Sequence, residues 1–238
     1  MQYALISGAS RGLGRSLVET FLGNGFAVFA GVLKSEKHLL DDIKGKHGDN
    51  LFVMEMDVTN ENDIINAVKL VLRHTDRLDV VVNNAGIIFG NTDNQDNPLD
   101  IDLTQLSDSV NVNAYGGMLV AKHFVTLLRP ASQSHAPALI NITSEAGSLA
   151  GAAGCYDPYC ISKSLMNIVS NKMKLLLEPR GIRVFAVHPG RMKTDMSQGK
   201  GDITPNESAR GIADIVQGKV KVDEKEAFID YLGQVMIP

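Results

Sequence analysis

Short apolar runs alternate with amphipathic segments along the whole chain. Apolar runs without strict alternation indicate buried parallel strands, and we predict strands at 3–7, 27–32, 51–57, 78–82, 138–142, 182–187 and 227–231. Apolar residues at helical spacing lie between them and predict helices at 15–22, 35–46, 60–73, 104–128, 159–177 and 207–217, with Ser35 as an N-terminal cap. The alternation predicts an α/β fold, a single-domain doubly wound parallel sheet of about seven strands with helices on both faces.

Composition and loops narrow the class of protein. The chain has 238 residues and a net charge of −4, and we expect one domain over 1–238. Residues 91–102 and 192–205 look like loops, and the second is a candidate lid. A run of about 18 apolar residues and a signal-peptide pattern are both missing. Two cysteines and scattered histidines predict neither a disulfide framework nor a metal site. We expect a cytoplasmic protein that binds neither nucleic acid nor membrane.

A glycine-rich turn joins the first predicted strand to the first helix. Gly8, Gly12 and Gly14 follow Ser7 in a G-x-x-x-G-x-G pattern. Glycines permit a tight turn and let backbone N–H groups approach a pyrophosphate at a helix N-terminus. An ordinary strand–helix turn also uses glycines, but the position after the first strand of such a sheet favours a dinucleotide.

The end of the second strand bears on which dinucleotide is bound. An NAD site usually has an acidic residue there for the ribose 2′-hydroxyl, whereas this strand ends in Gly31-Val-Leu-Lys34. Lys34 and Arg11 would offer positive charge to a 2′-phosphate, with Glu36 just beyond them. The alternative for Lys34 is a solvated strand end. The pattern favours NADP(H) and leaves NAD(H) open.

Three side chains form a candidate catalytic set. Tyr159 and Lys163 are four residues apart and share one helix face. An ammonium near a phenol lowers its pKa and prepares it to exchange a proton with an alcohol or carbonyl oxygen, although such pairs are also common on helix surfaces. Ser144 follows the fifth strand and could donate to a carbonyl or cap a turn. Tyr156 is a weaker alternative to Tyr159.

Together these motifs resemble the classical short-chain dehydrogenase/reductase family over nearly the whole chain. The matching segments are Ser7-Gly8-x-x-x-Gly12-x-Gly14, Asp57-Val58, Asn83-Asn84-Ala85-Gly86, Asn113-Ala-Tyr-Gly116, Ser144, Tyr159-x-x-x-Lys163 and Pro189-Gly190. The chain is similar to the small C-factor-like and sniffer-like carbonyl reductases in Thr143-Ser-Glu-Ala-Gly147, in His188-Pro-Gly-x-x-Lys-Thr-Asp-Met196 and in its short C-terminus. The resemblance implies a Rossmann-type fold and an NADP(H)-dependent oxidoreductase that interconverts a ketone or aldehyde and an alcohol by hydride transfer.

The resemblance also implies a role for each residue of the catalytic set and adds a fourth residue, Asn113. Tyr159 would be the general acid in reduction and the base in oxidation. Lys163 would lower the pKa of Tyr159 and bind the nicotinamide ribose. Ser144 would polarise the substrate carbonyl. Asn113 would interrupt its helix and hold a water that links Lys163 to solvent.

The implied cofactor-binding residues lie at the glycine turn and the strand ends. Asp57 would reach the exocyclic amine of adenine, and Thr194 would hold the nicotinamide carboxamide. Pro189 and Gly190 would back the nicotinamide. The full expected set is Ser7, Gly8, Ser10, Arg11, Gly12, Leu13, Gly14, Lys34, Asp57, Val58, Asn84, Ala85, Gly86, Tyr159, Lys163, Pro189, Gly190 and Thr194.

Two departures from the family pattern concern the cofactor and the pocket. Leu33 stands where many NADP-dependent members of this branch carry Arg, so the recognition of a 2′-phosphate would fall to Arg11 and Lys34. The interval between the catalytic serine and tyrosine is longer than the commonest one, and residues 150–156 would reshape the pocket wall.

Other expectations concern substrate, assembly and alternatives. Leu149 and Met192 suggest a small hydrophobic or aromatic carbonyl. A homodimer or homotetramer would pair helices 104–128 and 159–177 across a two-fold axis, as the resemblance implies. The alternative function is a dinucleotide-binding regulatory or signalling protein that needs no turnover. Cys155, Cys160 and His188 are interpreted as packing residues.

Overall fold

Seven parallel strands form one sheet. The computed structural model describes residues 1–89, 99–129, 136–150, 157–223 and 225–238. The strands are β1 Gln2–Ser7, β2 Phe26–Val32, β3 Leu51–Glu55, β4 Val80–Asn83, β5 Ala138–Ile142, β6 Arg183–His188 and β7 Phe228–Asp230. Their order is β3-β2-β1-β4-β5-β6-β7, and every pair is parallel. This is the doubly wound arrangement that the sequence predicts, and the fold prediction is confirmed.

Helices connect the strands. They are α1 Gly12–Gly23, α2 Asp41–His47, α3 Glu61–Val71, α4 Leu103–Val110, α5 Gly117–Phe124, α6 Asp157–Leu177 and α7 Pro205–Val216. Side-chain caps fix three of their starts: Asn60 for α3, Asp102 for α4 and Thr204, in a capping box with Glu207, for α7. Among the described residues, no helix is long and apolar enough to cross a bilayer.

The core lies on both faces of the sheet because successive strand residues point to opposite sides. Leu5 and its neighbour Ile6 are both fully buried, yet they belong to different apolar clusters. Leu5 shares a cluster with Phe124 of α5, whereas Ile6 packs in the cluster that contains Ile212 of α7. Burial on both faces explains why the strands read as continuous apolar runs.

Two predicted helices are built differently from the expectation. The predicted helix 104–128 is divided into α4, a π-helical turn Asn111–Gly116, α5 and a 3-10 turn Val125–Leu127. The predicted helix 35–46 is a 3-10 segment Lys34–Leu40 followed by α2. Ser35 does not cap it, because the Glu36 N–H donates to the Leu33 carbonyl and the chain already turns there.

A chain of buried amides ties α6 to the centre of the sheet. Asn83 of β4 donates from Nδ2 to Asn141 Oδ1 of β5 at 2.8 Å and to the Gly117 carbonyl at 3.0 Å. Asn141 donates in turn to Ser170 Oγ of α6 at 2.9 Å. Buried polar groups need such partners because losing one costs about 1–3 kcal/mol. The network therefore fixes α6, which carries Tyr159 and Lys163, against the sheet.

Candidate active site

One cleft of about 700 Å³ runs across the carboxyl ends of the strands. Ligands bind at this edge in open α/β sheets because the strand order reverses there, between β1 and β4. Most of the predicted cofactor-binding residues line it: Gly8, Ser10, Arg11, Gly12, Leu13, Gly14, Asp57, Val58, Asn84, Ala85, Gly86, Tyr159, Lys163, Pro189 and Thr194. Ser7, Lys34 and Gly190 are not among its lining residues.

The glycine turn is locked to the end of β4 by hydrogen bonds. Ser7 Oγ accepts from the backbone N–H groups of Asn84 (3.0 Å) and Ala85 (3.1 Å). Asn84 Nδ2 returns bonds to the carbonyls of Ser7 (3.0 Å) and Gly8 (2.9 Å). Ser7 and Asn84 therefore shape the floor of the cleft, and Ser7 acts from beneath rather than from the lining.

Close packing explains two of the glycines. Gly8 has a φ of 62°, and a Cβ there would lie 2.6 Å from Ala85 Cα. A Cβ on Gly14 would collide with the Gly8 carbonyl oxygen and would lie 2.6 Å from Asn84 Nδ2. The start of α1 thus lies directly against the turn, and Gly12, Leu13 and Gly14 line the cleft. A helix N-terminus at a cleft favours an anion.

The predicted 2′-phosphate region contains an acidic residue in contact with the predicted cation. Glu36 lines the cleft, accepts from Ser10 Oγ at 2.7 Å and pairs with Arg11 at 3.3 Å. The Arg11 side chain is 70% exposed and the Glu36 side chain 21%. Lys34 is exposed and does not line the cleft, whereas its neighbour Leu33 does. Arg11 is therefore the predicted cation that the fold brings to the cleft.

Asp57 and Val58 follow β3 and line the cleft as expected. Asp57 Oδ1 accepts from the backbone N–H of Thr59 at 2.9 Å and from its hydroxyl at 2.7 Å. The Asp57 N–H donates to Asp63 Oδ2 of α3 at 3.2 Å. These bonds hold the Asp57 carboxylate at the rim of the cleft.

Tyr159 and Lys163 lie together on α6 at the inner end of the cleft. Lys163 is 3% exposed, and its Nζ donates to the Ile142 carbonyl of β5 at 2.8 Å. The same Nζ lies 5.5 Å from the centre of the Tyr159 ring. The structure brings this predicted pair to the same cavity wall.

Burial sets the pKa values of this pair. It lowers the pKa of Lys163 to about 8. It raises the pKa of the Tyr159 phenol to about 12, although a hydrogen bond with the Ser144 side chain acts in the opposite direction. Desolvation of the phenolate outweighs the hydrogen bond from Ser144, so the pKa of Tyr159 lies above its ordinary value. The lowering that we expect from Lys163 stays a prediction. At neutral pH the phenol keeps its proton.

Ser144 is half-buried and lies next to Tyr159, which lines the cleft. It precedes a short 3-10 turn, Glu145–Gly147, and its Oγ accepts from the Ala146 N–H at 3.1 Å. It both caps that turn and hydrogen-bonds with Tyr159. Its donation to a substrate carbonyl stays a prediction.

Asn113 sits in the π-helical turn, where the expected helix interruption occurs. Its Oδ1 accepts from the Ile87 N–H at 2.8 Å, and its Nδ2 donates to the Ile87 carbonyl at 2.9 Å and to Ser162 Oγ at 2.9 Å. A Cβ built on Gly86 would lie 3.2 Å from Asn113 Oδ1 and 3.6 Å from Lys163 Nζ. Asn113 therefore joins the β4 loop to α6 beside Lys163.

The segment after β6 forms the remaining wall. Pro189, Met192 and Thr194 line the cleft. Gly190 instead packs beneath it, since a Cβ there would lie 2.6 Å from Ile203 Cδ1. Thr194 is held by reciprocal bonds with Ser197, at 3.0 and 3.3 Å.

Several contributors were not selected from the sequence. Glu36 and Thr143 line the cleft, and Ser162 supports Asn113. Their importance depends on three-dimensional neighbours, and only the position of Glu36 after the second strand gave a signal. Cys160 is buried in α6. Cys155, Tyr156, most of 150–156 and most of the predicted loop 91–102 lie outside the described residues.

Comparison with known proteins agrees with this geometry. The family model described as short chain dehydrogenase matches residues 2–203. A 3beta-hydroxysteroid dehydrogenase 2 from Eggerthella lenta is 30% identical over 225 residues, which cover 91% of this chain and 79% of that protein.

Two solved structures of carbonyl reductases superpose over this entire chain. The Sniffer carbonyl reductase of Drosophila melanogaster has a TM-score of 0.89 at 26% identity and is covered completely. The NADPH-bound carbonyl reductase from chicken fatty liver has a TM-score of 0.85 at 26% identity, with 99% of that chain covered.

The fold and the cleft define a dinucleotide-binding α/β oxidoreductase. A glycine turn at the switch point of the sheet and a Tyr–Lys pair at the far end of one cavity are features of that class. The chain belongs to the short-chain dehydrogenase family.

The contact between Gly14 and the turn gives a stability prediction. Gly14→Ala should lower the free energy of unfolding by about 2 kcal/mol, because the new methyl group overpacks against rigid backbone. Gly23→Ala is the matched control in the same helix, since a Cβ there meets nothing within 4 Å and alanine is the better helix former. Urea denaturation measures both variants, and equal effects at the two positions would contradict the close packing.

Proposed function

We propose that this protein is an NADP(H)-dependent oxidoreductase that interconverts a carbonyl compound and an alcohol. The observation that carries the proposal is the placement of Tyr159 and Lys163 in the same cleft as the glycine turn. When bound, the nicotinamide supplies or accepts the hydride, and the protein supplies orientation and the proton.

Tyr159 is the proton donor in reduction. Its pKa of about 12 means that the phenol is protonated at neutral pH, the form that donates to a carbonyl oxygen as negative charge develops there. Ser144, bonded to Tyr159, orients the same carbonyl. The buried ammonium of Lys163 stabilises the phenolate that remains after transfer.

After each reduction the Tyr159 phenolate takes up a new proton from the side of α6 on which Lys163 lies. Lys163 has a pKa of about 8, so its ammonium form dominates at neutral pH and can pass a proton to the phenolate. Asn113, fixed to Ile87 and Ser162, positions the route between Lys163 and solvent. Above about pH 8 the lysine loses its charge and this support weakens.

The cleft fits a dinucleotide of this kind. The close approach of α1 to Gly8 leaves a cradle that a Cβ would fill, and Arg11 at its mouth is the group for a 2′-phosphate. The two 26% identical carbonyl reductases, one of them NADPH-bound, support this assignment. Met192, Met196 and Ile88 line the cleft and favour a carbonyl with apolar substituents. Leu149 is 78% exposed and is not part of that lining.

Tyr159→Phe tests the proposed chemistry. Removing the hydroxyl should lower kcat for carbonyl reduction by about 10³-fold, because general acid catalysis is lost. NADPH binding, followed by fluorescence, should change by less than about twofold because the ring beside Lys163 remains. Tyr115→Phe, at a half-exposed position outside the cleft lining, is the control.

Two results of this experiment would refute the proposal. Full activity in Tyr159→Phe would refute the mechanism. Tight NADPH binding by the unaltered protein, without turnover of any aldehyde or ketone in a broad panel, would favour the alternative of a regulatory binding protein.

Glu36→Gln tests how the cleft selects its cofactor. Neutralising Glu36 frees Arg11 and removes a negative charge near the 2′-phosphate, so NADPH should bind about fivefold more tightly, about 1 kcal/mol, while NADH binding changes little. Glu19→Gln, which removes the same charge from a residue of α1 outside the lining, is the matched control.

Calorimetric titration of both reduced cofactors measures this effect. Lys34→Met should leave both affinities unchanged, since Lys34 does not line the cleft. A loss of NADPH affinity in Lys34→Met, or no gain in Glu36→Gln, would count against this selection.

We also propose a homo-oligomer, dimeric or tetrameric, that buries the outer face of α6. Ile161, Ile168 and Leu175 are exposed by 44%, 55% and 65% and recur every seven residues along one helix face. Contiguous exposed apolar residues of this kind mark interfaces.

The cytoplasmic location expected from the sequence stays a prediction.

Sedimentation tests the assembly. The unaltered protein should sediment as a dimer or larger, and Ile168→Glu should shift it toward monomer because a charge enters the apolar face. Glu19→Gln, a surface change on α1, should leave the distribution unaltered. A monomeric unaltered protein at about 10 μM would contradict this assembly, since obligate interfaces persist at such concentrations.

A further inference from the structure

His188, the last residue of β6, accepts a hydrogen bond from the turn that contains Ser144. Its Nδ1 lies 3.1 Å from the Glu145 backbone nitrogen. A backbone N–H can only donate, so Nδ1 must be unprotonated, and the neutral ring carries its proton on Nε2. The histidine thus holds the peptide unit that joins Ser144 to Glu145.

The opposite side of this turn is clamped onto α6. The Gly147 carbonyl accepts from Ser164 Oγ at 2.9 Å and from Asn167 Nδ2 at 3.1 Å. A Cβ on Gly147 would lie 2.7 Å from the backbone carbon of Lys163. The far end of the turn is therefore fixed by packing, whereas its Ser144 end depends on the contact with β6.

Three charged groups act on the His188 ring. Glu145 Oε1 pairs with Arg191 Nε at 2.6 Å, beside the histidine. Asp230 of β7 lies opposite His188 in the sheet register. Burial lowers the pKa of His188; Glu145 and Asp230 oppose that shift, and Arg191 reinforces it. The outcome is a lowered pKa, so the ring is neutral near pH 7.

We propose that His188 is a positioning residue for carbonyl reduction, which holds Ser144 in register with Tyr159 through the hydrogen bond from the Glu145 N–H. This inference rests on the proposed function. His188 is not among the residues that line the cleft, although the residue that follows it, Pro189, is. It acts through the peptide bond that follows Ser144.

Protonation of His188 reverses the contact. The imidazolium donates from both nitrogens, so Nδ1–H would face the Glu145 N–H, and two donors repel. Ser144 would then lose its alignment as the pH falls. Tyr159 cannot account for an acid loss of reduction, since its phenol is already protonated there.

Two variants separate positioning from simple packing. In His188→Asn, the amide oxygen occupies the δ position and can accept the same bond without titrating. His188→Leu keeps bulk but removes the acceptor. His38→Asn, at an exposed site, is the matched control for the loss of a histidine.

The measurement is the pH profile of kcat and KM for NADPH-linked reduction between about pH 5 and 8. His188→Leu should lower kcat at pH 7 by about tenfold or more, because small misplacements of reacting groups are costly. NADPH affinity should be nearly unchanged, and the melting temperature should fall by no more than a few degrees. His188→Asn should keep kcat within about twofold and should lack the fall in kcat toward acid pH that we expect of the unaltered protein.

Three results would overturn the proposal. They are a His188→Leu variant as active as the unaltered protein, a His188→Asn variant as impaired as His188→Leu, or an acid fall that persists in His188→Asn.

A second readout does not depend on turnover. The ¹⁵N spectrum of the histidine side chains, assigned by the signals lost in His188→Asn, should show His188 as the Nε2–H tautomer at pH 7. An Nδ1–H tautomer would overturn the inference even with an active enzyme. Absence of turnover in the unaltered protein would instead count against the proposed function and leave this spectroscopic test standing.

Discussion

The buried ammonium of Lys163 is the constraint on which the arrangement of the site depends. A charge removed from water is costly unless polar atoms surround it. Here the carbonyl of Ile142 at the end of β5 accepts its bond, and the oxygen of Asn113 lies nearby around Gly86. To keep these groups together, α6 must sit against the end of β5 and the π-helical turn must stay irregular. The same burial brings the lysine pKa toward the physiological range. The packing of Lys163 therefore affects both the position of α6 and the protonation of the site.

The two ends of the cleft work in different surroundings. Arg11 and Glu36 meet at an exposed rim, where water and salt weaken charge interactions. Tyr159 and Lys163 lie at the inner end, where desolvation raises the pKa of the tyrosine to about 12 and lowers the pKa of the lysine to about 8. The proposed preference between NADPH and NADH therefore depends on weak charge interactions at this rim, which the replacement of one side chain can alter. The proton chemistry depends on larger energies fixed by the sheet and α6.

The sequence predicts the parts of this protein that local pattern determines. All seven strands were placed within two residues of their observed ends, since buried parallel strands are continuous apolar runs. The glycine turn is predicted from its spacing together with its place after the first strand. Tyr159 and Lys163 have a common spacing, and the family resemblance is what marks them as catalytic. The break at Asn113 was expected only from the family resemblance, and periodicity alone predicted one helix from 104 to 128. The charge of Lys34 predicts a contact with a 2′-phosphate. The backbone turns at Leu33, however, and Lys34 does not line the cleft. The sequence predicts only strand-end packing for His188. Its bond to Glu145 joins residues 43 positions apart, and no local pattern indicates such a contact.

The hydrogen-bonded amides of Asn83 and Asn141 also favour the native register of β4 and β5 during folding. The two asparagines lie opposite each other in the pairing of β4 with β5, in positions that are otherwise surrounded by apolar side chains. A slip of one residue between β4 and β5 would put the two amides on opposite faces of the sheet and separate them from each other. Misaligned sheets would then hold unsatisfied amides in an apolar interior. The polar groups thus penalise near-native alternatives that hydrophobicity alone would tolerate.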